Sequence, residues 1–263
     1  MPKSSSLSAA IMLLMVGCKH PAPTDGAGPA PSSDAGAETG ALSTARPKDE
    51  LLLATNAQSG CDRGEAVACT NLGYMYSTGN AVPVDAVRAA GLYKKGCDGG
   101  DPHGCTNLGA LYETGKVVAV DDARAAALYK QGCDGGDPRG CTNLGILLAL
   151  GHGLPKDEKK AVTLYERSCT QGEPTACTNL GFMYSAGKGV AADETKAVAL
   201  YHQGCEKGDA HGCSNLGAMY EKGKGVPRDL SRAAFYYKKA CDQADGEGCT
   251  NLGLLNAARS TER

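Results

Sequence analysis

Along most of the chain the apolar residues recur at intervals of three and four. Cys69, Leu72, Gly73 and Tyr76 stand at i, i+3, i+4 and i+7, one stripe of an α-helix. A strand would need alternation with period two, which is absent. In the clearest copy a first helix, A, spans Pro102 to Thr114. Asp101 is its N-cap, Pro102 fits the first helical position and Gly115 closes it. A second helix, B, starts behind Asp121, runs through Ala125, Leu128 and Tyr129 to Cys133, and stops at Gly135-Gly136. The unit is a helical hairpin.

The hairpin is written repeatedly. Asn-Leu-Gly begins at Asn71, Asn107, Asn143, Asn179, Asn215 and Asn251, a step of 36 residues without insertion or deletion. Pro47, Lys48 and Asp49 match Pro155, Lys156 and Asp157, so a lone helix B precedes the first full unit. The reading is an all-α solenoid over residues 47–258 with six helices of each kind. Gly73 recurs in every copy, although a mid-helix glycine costs about 1 kcal/mol against alanine. Something must therefore approach its backbone closely. The neighbouring helix B is the candidate, since Ala89, Ala125, Ala161, Ala197 and Ala233 are comparably small.

Composition sharpens this picture. The 263 residues include 13 cysteines but only two Phe and no Trp, so the core must pack Ala, Leu, Tyr and Gly closely. Twelve cysteines fall on two repeat positions: Cys61, Cys97, Cys133, Cys169, Cys205 and Cys241, then Cys69, Cys105, Cys141, Cys177, Cys213 and Cys249. On one straight helix a spacing of eight is about 12 Å, too far for a disulfide. Here a helix break such as Asp98-Gly99-Gly100-Asp101-Pro102 intervenes, so one cysteine ends a helix and the next begins an antiparallel one. The expected pairs are Cys61–Cys69, Cys97–Cys105, Cys133–Cys141, Cys169–Cys177, Cys205–Cys213 and Cys241–Cys249, each adding somewhat under about 3 kcal/mol. A metal reading would need Cys-x-x-Cys, which is missing. His103 and His211 occupy a position filled elsewhere by Val67, Arg139, Thr175 and Glu247, and His152 and His202 are isolated. No metal or other cofactor is expected.

The N-terminus differs in kind. Residues 1–17 hold Lys3 and an apolar stretch from Leu7 to Val16, too short to span a bilayer but suited to a signal peptide. Met15-Val16-Gly17-Cys18 resembles the lipobox of bacterial lipoproteins, which implies lipidation of Cys18. Lys19 resembles the following residue of lipoproteins sent to the outer membrane. Up to residue 46 the chain is rich in Pro, Ala, Gly and Ser without apolar periodicity, the signature of a disordered tether. Residues 259–263 read as a C-terminal tail. Thirteen cysteines and this leader point to export.

Lys+Arg 27 against Asp+Glu 29 gives a net charge of −2, which leaves no bulk positive field for nucleic acid. Leu-Gly-x-x-Tyr in helix A, Gly187-Lys188-Gly189-Val190 after it, and Asp, Lys-Ala and Tyr in helix B resemble Sel-one-like repeats, relatives of tetratricopeptide repeats. The cysteine spacing resembles their disulfide-rich branch, the Helicobacter cysteine-rich protein family. The resemblance implies a right-handed α/α solenoid that binds protein or peptide partners. For the cysteine-rich branch it implies, as an alternative, β-lactam or peptidoglycan-fragment binding with weak β-lactamase activity. Ser185-Ala186-Gly187-Lys188 matches Ser-x-x-Lys of serine β-lactamases, but no Lys-Thr-Gly accompanies it, and it lies where helix A ends. No residue is therefore assigned a catalytic role.

Helix A also carries positions that vary between copies. Those equivalent to 67, 70, 74, 77 and 78 share one broad sector opposite the packing stripe. A solenoid often lines a concave groove with one helix series, and positions facing a non-repeating ligand need not repeat. The expected partner-binding residues are Tyr74, Ser77, Glu113, Arg139, Ile146, Phe182, Ser185, Glu221 and Lys222. The partner would be a protein or peptide of the cell envelope, with membrane attachment through the lipid anchor. The Thr-Asn or Ser-Asn pairs beginning at Thr70, Thr106, Thr142, Thr178, Ser214 and Thr250 admit two readings. They could grip an extended peptide backbone, or they could make hydrogen bonds between repeats, which their constancy favours.

Overall fold

The computed structural model describes residues 47–261, and within them twelve helices and no strand. In chain order they are α1 (Pro47–Asp62), α2 (Ala66–Thr78), α3 (Ala86–Asp98), α4 (Pro102–Thr114), α5 (Asp122–Asp134) and α6 (Pro138–Leu150). There follow α7 (Glu158–Thr170), α8 (Pro174–Ala186), α9 (Glu194–Glu206), α10 (Ala210–Lys222), α11 (Leu230–Asp242) and α12 (Gly246–Thr261). Odd-numbered helices are the B series and even-numbered helices the A series. The last helix runs through Thr261, so residues 259–261 continue the solenoid where a tail was expected. The leader, Cys18 and the tether lie outside the described residues, as do residues 262–263.

Local chemistry sets the helix ends. The carboxylates of Asp101, Asp137 and Asp209 accept from the backbone N–H two residues on and start α4, α6 and α10. Asp85, Asp121, Asp157, Asp193 and Asp229 cap the B helices that follow them. Each A helix from α2 to α10 stops at a glycine in the left-handed region, Gly115 at φ 66° for example. A later glycine of the same loop serves packing instead. A Cβ on Gly189 would lie 2.4 Å from the Glu158 carbonyl oxygen of the previous B helix, so the loop rests directly on that helix.

Within a hairpin the recurring glycine of helix A faces a buried tyrosine ring of helix B. A Cβ on Gly73, Gly109, Gly145, Gly181 or Gly217 would stand 2.7–2.9 Å from the ring of Tyr93, Tyr129, Tyr165, Tyr201 or Tyr237. The Ala89 carbonyl lies 3.2 Å from the same point on Gly73, and all five small alanines of the B helices are buried. The close approach expected at Gly73 is thus made by an aromatic ring as well as by a helix backbone. A core poor in Phe and Trp is filled by one tyrosine per hairpin seated on a glycine.

Between hairpins a disulfide joins the end of each B helix to the start of the next A helix. All six pairs, Cys61–Cys69 through Cys241–Cys249, have Cα separations of 4.5–4.7 Å. Beside them, Thr70, Thr106, Thr142, Thr178 and Ser214 are buried. Thr142 meets the Ser168 hydroxyl at 2.7 Å, Thr106 bonds the Asp137 carboxylate and Ser214 bonds Asp245. Small residues opposite, Gly96, Gly132 and Gly204, leave the hydroxyls room, since a Cβ there would collide with them.

Four of the five successive pairs of A helices touch: α2 meets α4, α4 meets α6, α8 meets α10 and α10 meets α12. Among the described residues no comparable contact links α6 to α8 or any two successive B helices. The A series is therefore the tighter, inner layer of the curve.

Candidate functional site: the inner face of the A helices

The inner layer narrows the expected sector. From α2 to α10 position 70 is buried in the inter-repeat seam, so it leaves the candidate surface. Position 77 has an internal partner in most copies. Ser77 meets the Tyr93 hydroxyl at 3.0 Å, Glu113 accepts from Tyr129, Ser185 bonds Tyr201, and Glu221 accepts from Tyr237 at 2.6 Å. Ala149 is buried in the same slot. From α2 to α10 position 74 is half-buried, whereas Leu254 in the same slot of α12 is exposed. Tyr74 packs toward Ala89, Tyr93 and Leu108, and Phe182 packs toward Ala197, Tyr201 and Leu216 with the Lys188 ammonium 4.9 Å above its ring. Ile146 is likewise half-buried, and Lys222 is exposed.

These tyrosines respond to their seats. Burial pushes the Tyr201 phenol up to about 12, with Ser185 partly opposing. Burial and the neighbouring carboxylates hold Tyr129 and Tyr237 higher still. The hydroxyls act as fixed donors from helix B to helix A. Ser185 is one of their partners, and no hydrogen bond links it to Lys188. The Ser-x-x-Lys match is not assembled into a nucleophile and base.

The sector that remains open on each A helix comprises positions 67, 71, 74 and 78. Sequence reasoning grouped the asparagine at 71 with its threonine neighbour, and the structure separates them. Thr70, Thr106, Thr142, Thr178 and Ser214 turn into the seam. Asn71 is exposed, and Asn107, Asn143, Asn179, Asn215 and Asn251 are half-exposed. Asn143 reaches the Tyr129 hydroxyl. Among the described residues, the side chains of the other five make no hydrogen bond.

At position 67 an electrostatic cluster joins consecutive units. The Asp137 carboxylate is buried, capping α6 while facing His103 Nδ1 at 3.1 Å and Arg139 Nη2 at 3.2 Å. Burial pushes this carboxyl up, but the hydrogen bond from His103, the Arg139 guanidinium and Thr106 outweigh it and hold it at about 2. The hydrogen bond to Asp137 raises the His103 pKa. One Nδ1 cannot both donate to Asp137 and accept from Arg139, which stands 3.2 Å away, and the buried carboxylate makes it the donor. His211 and Asp245 repeat the arrangement at 3.5 Å. Arg139, expected to be a free partner-binding residue, is thus tied to this cluster. The signal was present as an acid 34 residues after a His. Among the described residues no group of three or more His, Cys, Asp or Glu could hold a metal ion, and no helix is long and apolar enough to cross a membrane.

Antiparallel helix pairs in strict 36-residue register, stapled between units and presenting an inner row of polar side chains, define a tandem helical-hairpin repeat protein. The chain belongs to the Sel1 repeat family, whose model matches residues 66–101, 102–137, 138–173, 174–209 and 210–245. Repeats of this family commonly mediate protein–protein contacts. The chain is similar to a Sel1 repeat protein from Oxalobacter formigenes, with 28% identity over 78% of this chain and 82% of that one and a TM-score of 0.72. It is also similar to a protective antigen of uropathogenic Escherichia coli strains with the same repeat fold. There the identity is 27% over 81% of this chain and 49% of that one, with a TM-score of 0.65, so this chain spans about half that protein's length. Helicobacter pylori cysteine rich protein B is 30% identical over 51% of this chain and 97% of its own, with a TM-score of 0.41. No curated protein sequence matches significantly.

Proposed function

We propose that the chain is a scaffold that binds an extended segment of a protein or peptide partner along the inner face of its A helices. The observation that carries this reading is the asparagine row. Asn71, Asn107, Asn179, Asn215 and Asn251 recur once per unit with free amides that can each donate and accept, as a peptide main chain requires. Tyr74, Ile146 and Phe182 flank the row and would select side chains, with Lys222 near one end. Staples between units hold the row in place and so reduce the ordering cost of binding. Nothing in the arrangement of Ser185 and Lys188 favours a β-lactam-directed reading.

The test is a selection of random peptides on the oxidised protein, repeated on Asn107→Ala/Asn179→Ala. The expected outcome is a set of peptides that lose binding to the variant and also lose it when alternate peptide amides are N-methylated. Peptides that ignore both changes would overturn the reading.

We further propose export with a lipid anchor at Cys18. What supports it is the apolar leader with its lipobox-like end and six disulfides, which persist in oxidising compartments. Cys18→Ser should move the protein from the membrane to the soluble envelope fraction, and unchanged partitioning would sink the anchor.

A further inference from the structure

Two of the seams between units are left incomplete. In the complete ones, the carboxylates of Asp137 and Asp245 each meet a histidine of the preceding unit, His103 or His211, and a hydroxyl, Thr106 or Ser214. Asp101 and Asp209 are their equivalents one unit earlier. One oxygen of each caps its helix, accepting from the His103 or His211 backbone N–H at 3.2 and 3.1 Å. The other oxygen, Oδ2, is buried without a hydrogen-bond partner, and so are the equivalent hydroxyls of Thr70 and Thr178. Asp101, Thr70 and Thr178 are each 4% exposed. The Thr70 hydroxyl lies against the first turn of α4, 2.7 Å from where a Cβ on Gly104 would stand, and Thr178 repeats this distance at Gly212 of α10. The four atoms therefore form two niches, Thr70 with Asp101 and Thr178 with Asp209. What sets these seams apart is the residue 34 positions before the acid, Val67 and Thr175 in place of His103 and His211.

We infer that the two niches receive basic side chains, Lys or Arg, of the segment bound along the inner face, an inference that rests on the asparagine row for the course of that segment. A buried carboxylate oxygen without a donor is costly, and a cation bearing N–H groups removes the cost. The chain shows this solution in its own seam, where Asp137 faces His103 Nδ1 at 3.1 Å and Arg139 Nη2 at 3.2 Å. Position 67 belongs to the open sector and lies one helical turn from Asn71, so a segment on the row passes over the niches. Val67 is 60% exposed and has no donor to offer. An ammonium or guanidinium group reaching past it takes the place that His103 holds over Asp137, and the threonine hydroxyl accepts a second hydrogen bond from the same group. An acidic side chain would meet its own charge there. The niches also set a spacing. With packed helix axes roughly 8–10 Å apart, three steps from α4 to α10 amount to about 25–30 Å, which an extended chain at about 3.3 Å per residue covers in about nine residues.

The experiment selects random peptides long enough to cover three units on the oxidised full chain, and repeats the selection on Asp101→Asn/Asp209→Asn. The parent should enrich peptides with Lys or Arg at two places about nine residues apart, and the variant should not. For one such peptide, replacing a basic residue by norleucine should weaken binding to the parent about tenfold and leave binding to the variant unchanged. Two measurements need no peptide. Asp101→Asn keeps the helix cap and removes an unpaired buried charge, so its thermal midpoint should equal or exceed the parent's. Val67→His supplies the donor from within the chain and should raise the midpoint, while the peptide loses its preference for a basic residue at that end. Three results would overturn the inference: no basic enrichment, an equal norleucine penalty in both proteins, or a lower midpoint in Asp101→Asn, which would mean that the carboxylate is already satisfied within the fold. Asn107→Ala/Asn179→Ala separates this inference from the reading beneath it. Peptides that need the asparagines and show no basic preference overturn the niches alone, whereas basic residues that couple to Asp101 in peptides indifferent to the asparagines uphold the niches and overturn the row. Absence of any bound peptide overturns both.

Discussion

Tyr237 donates its hydroxyl to the Glu221 carboxylate at 2.6 Å across the hairpin, and Tyr129 does the same to Glu113. The pair ties the ring that fills the glycine gap to the helix that provides the gap. Its coupling is measurable. In a double-mutant cycle of Tyr129→Phe and Glu113→Ala, denaturant unfolding should give an interaction of about 1–2 kcal/mol, as for a hydrogen bond to a charged group. Strict additivity would show that the bond contributes nothing beyond its geometry.

Stability should depend on pH through Asp137. Its carboxyl is held at about 2 in the folded chain, below the ordinary 3.8, so its contribution is complete above about pH 4 and is lost as pH falls toward 2. Asp137→Asn should cost about 2–3 kcal/mol near neutral pH, because it removes a buried carboxylate whose pKa, lowered from 3.8 to about 2, reports its stabilisation by His103, Arg139 and Thr106. The gap between parent and variant should close in melts at about pH 2. His103 acts with the opposite sign. Its pKa is raised above 6.5, so its contribution is full below 6.5 and disappears as pH rises through the raised value. His103→Gln should therefore differ from the parent in mildly acidic buffer and converge with it in alkaline buffer.

One substitution should change sign with position. Gly181→Ala places a methyl 2.9 Å from the Tyr201 ring and should destabilise by about 1–3 kcal/mol through overpacking. Gly253→Ala meets nothing within 4 Å and should stabilise by up to about 1 kcal/mol through helix propensity. Chemical denaturation of both variants checks the pair. Equal effects would mean that the ring contact does not explain the recurring glycine.

Reduction should be graded along the chain. Cys241–Cys249 ends on an exposed residue, Cys249, whereas Cys205 and Cys213 are fully buried. Limited thiol treatment followed by alkylation should label Cys249 before Cys213. Complete reduction should lower the unfolding midpoint, each small loop contributing somewhat under about 3 kcal/mol.

The helices, their register and the solenoid were legible in the chain because caps, glycine stops and a 36-residue period without indels are local signals. The inner face was legible only in part. Thr70 and Asn71 are neighbours with the same constancy, and no one-dimensional pattern says that one turns inward and the other outward. That division arises where Gly96 and Gly104 let the next hairpin close on the threonine. Variation at position 77 suggested a ligand surface, yet Ser77 and Glu113 both satisfy a tyrosine hydroxyl. Serine and glutamate are interchangeable there because each can accept one hydrogen bond, a tolerance that resembles freedom when only the sequence is read. The His103–Asp137 link was missed because its partners are 34 residues apart and belong to different units.

The six disulfides give the chain two kinds of joint. At each turn from B to A, as between Cys97 and Cys105, main chain and sulfur bridge run side by side, and a single cut leaves the halves connected. At each loop from A to B, such as that between Gly79 and Asp85, the main chain runs alone. A protease that nicks the first kind of joint leaves a covalently intact molecule, while one nick in the second divides it into two pieces held only by packing. Resistance to degradation in a protease-rich surrounding therefore rests on the five glycine-started loops.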